Sequence, residues 1–207
     1  MFAAVSPEPI PLDHRHHAGA ARVLADAFLD DPGWVAVGPR RASARWKYIY
    51  RTCLGGIRVG ARWGGPSWCI AEDDRPIAVL TGCAPGLWPT PTVRSALLTA
   101  PGPVLAGPSP LLRSLGAQRV IEAHNPDYPH FLVFMFAVSP DHQRRGLGGR
   151  LMREALGRAD AEAVPAYLWT ANPDNLPYYR SHGFDVTGEA TIPGGVPNWF
   201  MERPALP

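Results

Sequence analysis

The hydrophobic period of the chain changes several times along its length, and each change marks an element. Residues 131–138, Phe-Leu-Val-Phe-Met-Phe-Ala-Val, are apolar without a break, as expected of a strand buried on both faces. From Gly146 the period switches. Leu147, Leu151 and Ala155 fall at i, i+4 and i+8, with Met152, Leu156 and Ala159 on the neighbouring rows, which predicts a helix with one apolar face. A second strand is predicted over 166–170. Strand, helix, strand in succession implies a parallel pair with a ligand at the carboxyl ends of its strands.

The rest of the pattern is less regular. Residues 10–12 read as a first strand, and 18–29 as a helix with Ala21, Leu24, Ala25 and Phe28 on one side, stopped by Asp30-Asp31-Pro32-Gly33. Trp46, Ile49, Tyr50, Cys53, Leu54 and Ile57 recur at helical spacing and predict a longer helix over 41–59, which Gly55-Gly56 weakens. Residues 67–71 and 77–83 read as a hairpin around the turn Glu72-Asp73-Asp74-Arg75. A Pro/Gly-rich stretch over 84–110 interrupts the pattern, with a short helix expected over 93–98. A better helix follows over 111–123, and 184–190 and 199–202 read as closing strands.

Composition narrows the class. A chain of 207 residues buries about 70% of its unfolded surface, so a single domain over 1–207 is expected. The net charge of +2 gives no overall basic field, so no nucleic-acid partner is expected. Cys53, Cys69 and Cys83 are odd in number and lack metal-ligand spacing, and read as buried thiols of a reducing compartment. His14, His16 and His17 have no acid at ligand spacing, and no metal is expected. No leader pattern opens the chain and no apolar run approaches about 18 residues, which predicts a soluble, cytoplasmic protein without a membrane partner.

The candidate chemistry sits between the apolar strand and its helix, in Val138-Ser139-Pro140-Asp141-His142-Gln143-Arg144-Arg145-Gly146-Leu147-Gly148-Gly149-Arg150. The first turn of a helix carries unpartnered N–H groups and the positive end of the helix dipole, so a diphosphate fits there. Glycines at 146, 148 and 149 let an anion approach the backbone and permit the dihedrals of the turn. A dinucleotide fingerprint needs a third glycine where this chain has Leu151, and a P-loop needs Gly-Lys-Ser/Thr, which is absent.

What remains, Gln143-x-x-Gly146-x-Gly148, resembles the acyl-CoA pyrophosphate loop of the GCN5-related N-acetyltransferases (GNAT). A second segment, Leu168-Trp169-Thr170-Ala171-Asn172-Pro173-Asp174-Asn175-Leu176-Pro177-Tyr178-Tyr179-Arg180-Ser181-His182-Gly183-Phe184, is similar to that family's later signature. Within the family the wording is most like the puromycin N-acetyltransferase branch over roughly the last 80 residues. The resemblance implies an α/β fold: a central mixed twisted sheet with helices on both faces and the acyl-CoA loop between a buried strand and the following helix. It implies acetyl transfer from acetyl-CoA, as co-substrate and without a metal, to an amine of a small molecule, by a monomer or homodimer. The alternative is a non-catalytic acyl-CoA sensor of the same fold.

The resemblance also implies roles. Tyr179, four residues before the glycine of Gly183-Phe184, takes the position of the acid that protonates the departing thiolate. Val138 takes that of the strand end that pairs with the pantetheine arm. Gln143, Arg144, Arg145, Gly146, Leu147, Gly148 and Gly149 take that of the diphosphate loop, and Asn172 and Asn175 lie at the family's offsets for cofactor contact. Tyr178 turns about 100° away and is expected to pack. For the base, Glu122, His124, Asp127 and His130 lie just before the buried strand, with Glu122 and His124 as leading candidates and water as the alternative. One departure concerns the acceptor: Trp169 stands where puromycin-type relatives carry glutamate. Trp34, Trp46, Trp63, Trp88, Tyr128, Trp169 and Trp199 point to a roomy, partly aromatic acceptor site.

Overall fold

The structure, a computed structural model, describes residues 8–88 and 101–206. Seven strands form one sheet in the order β1-β2-β3-β4-β5-β7-β6: β1 (Ile10–Pro11), β2 (Ser67–Glu72), β3 (Arg75–Cys83), β4 (Phe131–Val138), β5 (Ala166–Thr170), β6 (Asp185–Ile192) and β7 (Val196–Arg203). Every neighbouring pair is antiparallel except β4–β5, so the sheet is mixed. The predicted parallel pair is the one the 3.6-residue segment connects.

Seven α-helices lie among the described residues: α1 (His17–Ala27), α2 (Pro32–Val37), α3 (Ala42–Trp63), α4 (Pro101–Leu105), α5 (Pro108–Ala123), α6 (Leu147–Ala161) and α7 (Leu176–Ser181). They cover both faces. Leu151, Met152 and Ala155 of α6 and Tyr179 of α7 pack with Ile70, Leu80, Phe131 and Val133 on one side of the sheet. Ala20, Ala21 and Leu24 of α1 and Ile49, Cys53 and Ile57 of α3 pack with Val79, Met135 and Ala137 on the other.

Several boundaries differ from the sequence reading for identifiable reasons. α1 already ends at Ala27, and Asp31-Pro32, expected to stop it, starts α2, because the Asp31 side chain accepts from the Gly33 and Trp34 amides and Pro32 occupies the first helical position. The expected stop signal is therefore a start signal. Gly55-Gly56 does not weaken α3, which runs unbroken to Trp63 and ends at Gly64 in the left-handed conformation. A Cβ on Gly56 would lie 3.1 Å from Met135 Cε and 3.2 Å from Phe134 Cε1, so the missing side chain leaves room for those two side chains against α3. Asp73 and Asp74 adopt φ of 47° and 62°. This two-residue turn pairs Glu72 with Arg75 and lengthens both hairpin strands. The stretch expected to be irregular contains α4, and the short helix expected over 93–98 falls outside the described residues.

β7 is fastened at its end. Arg203, buried, donates from Nη1 and Nη2 to the two carboxylate oxygens of Asp160 on α6 at 2.8 and 3.0 Å, and the Leu206 amide donates to the same carboxylate. The Arg203 hydrogen bonds hold the Asp160 carboxyl below its ordinary pKa of 3.8. Asp160→Ala strands a buried guanidinium and is expected to cost about 2–3 kcal/mol, measured by denaturant unfolding at neutral pH. Since the folded pKa is depressed, the contribution of Asp160 is complete above the unfolded value and fades as pH falls through the folded one. The gap between wild type and variant should therefore narrow in acid.

All three thiols are buried and unbridged. Burial pushes Cys69 up to about 11, Cys83 up to about 12 and Cys53 higher still. Native protein at mildly alkaline pH should therefore resist iodoacetamide at all three positions, whereas denatured protein should be alkylated at each, as read by mass spectrometry.

Candidate active site

The site begins where β4 leaves β5. The two strands pair only at Phe131/Ala166 and Leu132/Tyr167. Immediately beyond, the β3–β4 register shifts: Thr81 faces Met135 while Gly82 faces Val133, which leaves Phe134 as a bulge residue. The bulge is pinned from β3, because the buried Thr81 Oγ1 accepts from the Met135 amide at 3.1 Å. A Cβ on Gly82 would come within 2.4 Å of Phe131 Cζ, so the partner strand must be bare there. From Val133 onward β4 diverges from β5 and leaves a slot between them. Thr81, Phe134 and Gly82 were not singled out from sequence; a threonine-glycine pair inside an otherwise apolar strand was the available signal.

At the carboxyl end of β4 the chain passes through a 3-10 turn, Pro140–His142, into the glycine loop. Ser139 N–H donates to Ile77 O at 2.8 Å, tying the loop's start to β3. Gln143 Nε2 donates to Val138 O at 3.2 Å and folds over the strand end, and Arg145 Nη2 donates to Asp141 O at 3.2 Å. Arg144 and Gly146 both have positive φ, 63° and 77°. Nothing lies within 4 Å of the Cβ position of Gly146, so the backbone there faces open space. The first intrahelical bond, Arg150 N–H to Gly146 O at 3.3 Å, leaves the amides of Leu147, Gly148 and Gly149 without a partner one turn back. Gly148 has a different job. A Cβ there would lie 3.0 Å from Phe136 Cζ and 3.2 Å from the Tyr178 hydroxyl, so its side faces the core, and glycine is needed for packing.

Tyr178 packs as expected, stacking on Phe136 with centroids 5.7 Å apart. Its hydroxyl is enclosed without a hydrogen-bond partner. Tyr179 is buried on α7, edge-on to Phe184 at 6.1 Å. Burial raises its phenol well above the ordinary value of 10, with smaller contributions from Tyr178 and the Asp31 charge. It therefore stays protonated at neutral pH and can act only as a proton donor. Asn172 and Asn175 shape the turn between β5 and α7: Asn172 Oδ1 accepts from the Asp174 amide at 3.0 Å, and Asn175 Nδ2 donates to Thr170 Oγ1 at 3.3 Å.

The base candidates are not brought to Tyr179. They lie near the amino end of β4, roughly 25 Å along the strand from Val138, and on the opposite face of the sheet. His124 caps α5: its ring stacks on Phe200 at 4.3 Å, and its Nδ1 lies 2.8 Å from Val120 O. Glu122 is exposed and accepts from Gln118 Nε2 at 2.8 Å. His130 is buried with Nδ1 2.8 Å from Tyr128 O, and Asp127 is exposed. Of the aromatics, Trp88 and Trp169 meet the bulged Phe134 at centroid distances of 4.8 and 6.1 Å, and lie 5.9 Å from each other. Trp34 stacks on Phe28, Trp46 stacks on Tyr50, and Trp199 donates to Glu189. Among the described residues no group of three ligands suited to a metal occurs, and no helix is long and apolar enough to cross a membrane.

This geometry can be compared with known proteins. Solved structures with the same fold include an acetyltransferase from Corynebacterium glutamicum described as histone acetyltransferase HPA2 and related acetyltransferase (TM-score 0.70, 18% identity, 98% of this chain and 99% of that one). They also include the ribosomal-protein-S18-alanine N-acetyltransferase of Escherichia coli (TM-score 0.56, 12% identity, 96% and 94%). A third is a chain of the NatC complex bound to Gag peptide and CoA (TM-score 0.52, 13% identity, 96% and 99%). The family model for the acetyltransferase (GNAT) family matches residues 57–184, more than half of the chain, from the middle of α3 through the slot and loop to Phe184. The chain belongs to the GNAT acetyltransferase family.

Proposed function

We propose that the protein is an N-acetyltransferase that moves the acetyl group of acetyl-CoA to an amine of a small molecule. The observation that carries this reading is the conjunction of three open amides at the start of α6, the unobstructed backbone at Gly146, and the slot that begins two residue pairs into β4–β5. The diphosphate of the donor lies against the amides of Leu147, Gly148 and Gly149, with Gln143, Arg144 and Arg145 around it, where the helix dipole favours negative charge. The pantetheine arm follows the unpaired edge of β4 at Val138, and Asn172 and Asn175 border it from the β5 side. The NatC chain of the same fold was solved with CoA, which supports the choice of donor.

In the reaction the amine nitrogen bonds to the acetyl carbonyl carbon and the carbon–sulfur bond breaks. The sulfur leaves with the electron pair and takes a proton from the Tyr179 hydroxyl. The surplus proton on nitrogen passes through water and restores the phenol, giving an amide and free CoA thiol. Glu122 and His124 have structural partners away from Tyr179, so this reading assigns the amine's proton to water.

Two measurements test the proposal. Asparagine and aspartate both tolerate positive φ, so Gly146→Asn controls for backbone strain and Gly146→Asp adds a negative charge facing the diphosphate. Calorimetry should find acetyl-CoA binding about tenfold or more weaker in the aspartate variant than in the asparagine variant; equal affinities would remove the loop from donor binding. Tyr179→Phe should bind acetyl-CoA as wild type does and turn over about tenfold or more slowly with any accepted amine. Unaltered turnover would take Tyr179 out of the reaction.

A further inference from the structure

The corner between α1 and α3 is held more firmly than a connecting segment requires. Arg45, on α3, is buried and donates to both arms of the corner: Nε to Leu29 O at 2.7 Å, Nη1 to Pro39 O at 3.3 Å and Arg40 O at 3.0 Å, and Nη2 to Asp30 Oδ1 at 3.2 Å. A buried guanidinium with carbonyl partners on two sides of a loop fixes that loop's shape. α2 lies between the two arms, with Asp31 at its start.

Two adjacent acids at this corner are treated in opposite ways. The Asp30 side chain is 88% exposed yet receives the arginine. Asp31 is half-buried, and no arginine, lysine or histidine among the described residues pairs with it. Its two hydrogen bonds, from the Gly33 amide at 3.0 Å and the Trp34 amide at 3.3 Å, both end on Oδ1, which leaves Oδ2 without a donor. Burial outweighs these bonds and raises the carboxyl above its ordinary value. A half-buried carboxylate with no counter-charge and one oxygen free of protein donors can receive a cation there.

The helix that Asp31 opens packs against the carboxyl end of β5. A Cβ on Gly33 would lie 3.0 Å from the Ala171 Cβ at the carboxyl end of β5, and the Asp31 charge is felt at the Tyr179 phenol. On the same helical turn the Trp34 ring stacks on Phe28 at 5.8 Å and meets Tyr48 edge-on at 5.8 Å. Trp34, three residues on and only partly buried, gives the acid an aromatic neighbour, which suits a cation on an apolar body.

We propose that Asp31 is the counter-ion of the acceptor, so that the amine taken by this site arrives as an ammonium group attached to an apolar or aromatic body. This rests on the acetyltransferase reading and adds a substrate class to it. Asp31 recognises the acceptor; the ammonium gives up one proton to water before its nitrogen attacks, and from the neutral amine onward the transfer balances as above, so that one proton is released overall.

Asp31→Asn separates this role from helix capping, because asparagine caps as well as aspartate, and Asp31→Ser supplies a second neutral cap. The full chain and both variants are assayed with acetyl-CoA and three probes: phenethylamine and tryptamine, which are cationic at neutral pH, and aniline, which is not. Both variants should melt with wild type and bind acetyl-CoA equally. Their KM for the cationic amines should rise about tenfold or more while kcat stays within about twofold, and aniline should react identically in all three proteins. An unchanged KM, an effect in only one variant, an equal loss for charged and uncharged probes, or a wild type that binds acetyl-CoA yet acetylates neither cationic probe would overturn the assignment. A wild type that does not bind acetyl-CoA would instead overturn the transferase reading.

Discussion

Two parallel strands in one sheet normally continue their ladder to the end, and the site depends on β4 and β5 not doing so. Their separation has a local cause. One extra residue at Phe134 turns the later part of β4 onto a different register with β3, and Thr81 holds the displaced Met135 amide that the irregular register would leave unpaired. The open strand edge that results is a liability in most sheets. Here the backbone groups left unpaired beyond Leu132 are open to an extended partner. In the proposed function the glycine loop and Tyr179 serve the donor only because the slot is open.

The helix-start chemistry and the slot reinforce each other. An N-terminus alone attracts many anions; a strand edge alone pairs with many extended chains. In the proposed function a ligand with a diphosphate at one end and an extended amide-bearing arm at the other meets both at once. Gly146 and Gly148 divide the work, since the first keeps the backbone open outward and the second lets Phe136 and Tyr178 fill the space beneath. The glycine pattern thus contains one position facing open space and one facing core.

The legible parts of the sequence were those where one signal has one meaning. The unbroken apolar run gave β4 to the residue, and the alternation of glycine, leucine and methionine gave the start and buried face of α6. Signals with two meanings misled. Asp31-Pro32 reads as a stop and is also a cap, so α2 was not seen. Gly55-Gly56 reads as a helix weakness and is in fact a clearance for Phe134 and Met135. His124 and Glu122 were chosen by chemical type and nearness in sequence to β4, yet a strand of eight residues carries its two ends far apart, and the histidine ring is used against Phe200. Asp31 could not be recognised from its residue type: what distinguishes it from Asp30 is burial and the lack of an arginine, both set by the fold.

The clearance at Gly56 has a mechanical consequence. Gly56 lies against the ends of the Phe134 and Met135 side chains, so α3 bears on the bulge through those two side chains. A shift of α3, which also carries Arg45, would be passed on to Phe134 and so to the width of the gap beside it. Changes on the outer side of α3 can therefore alter the packing of Phe134 beside the gap between β4 and β5.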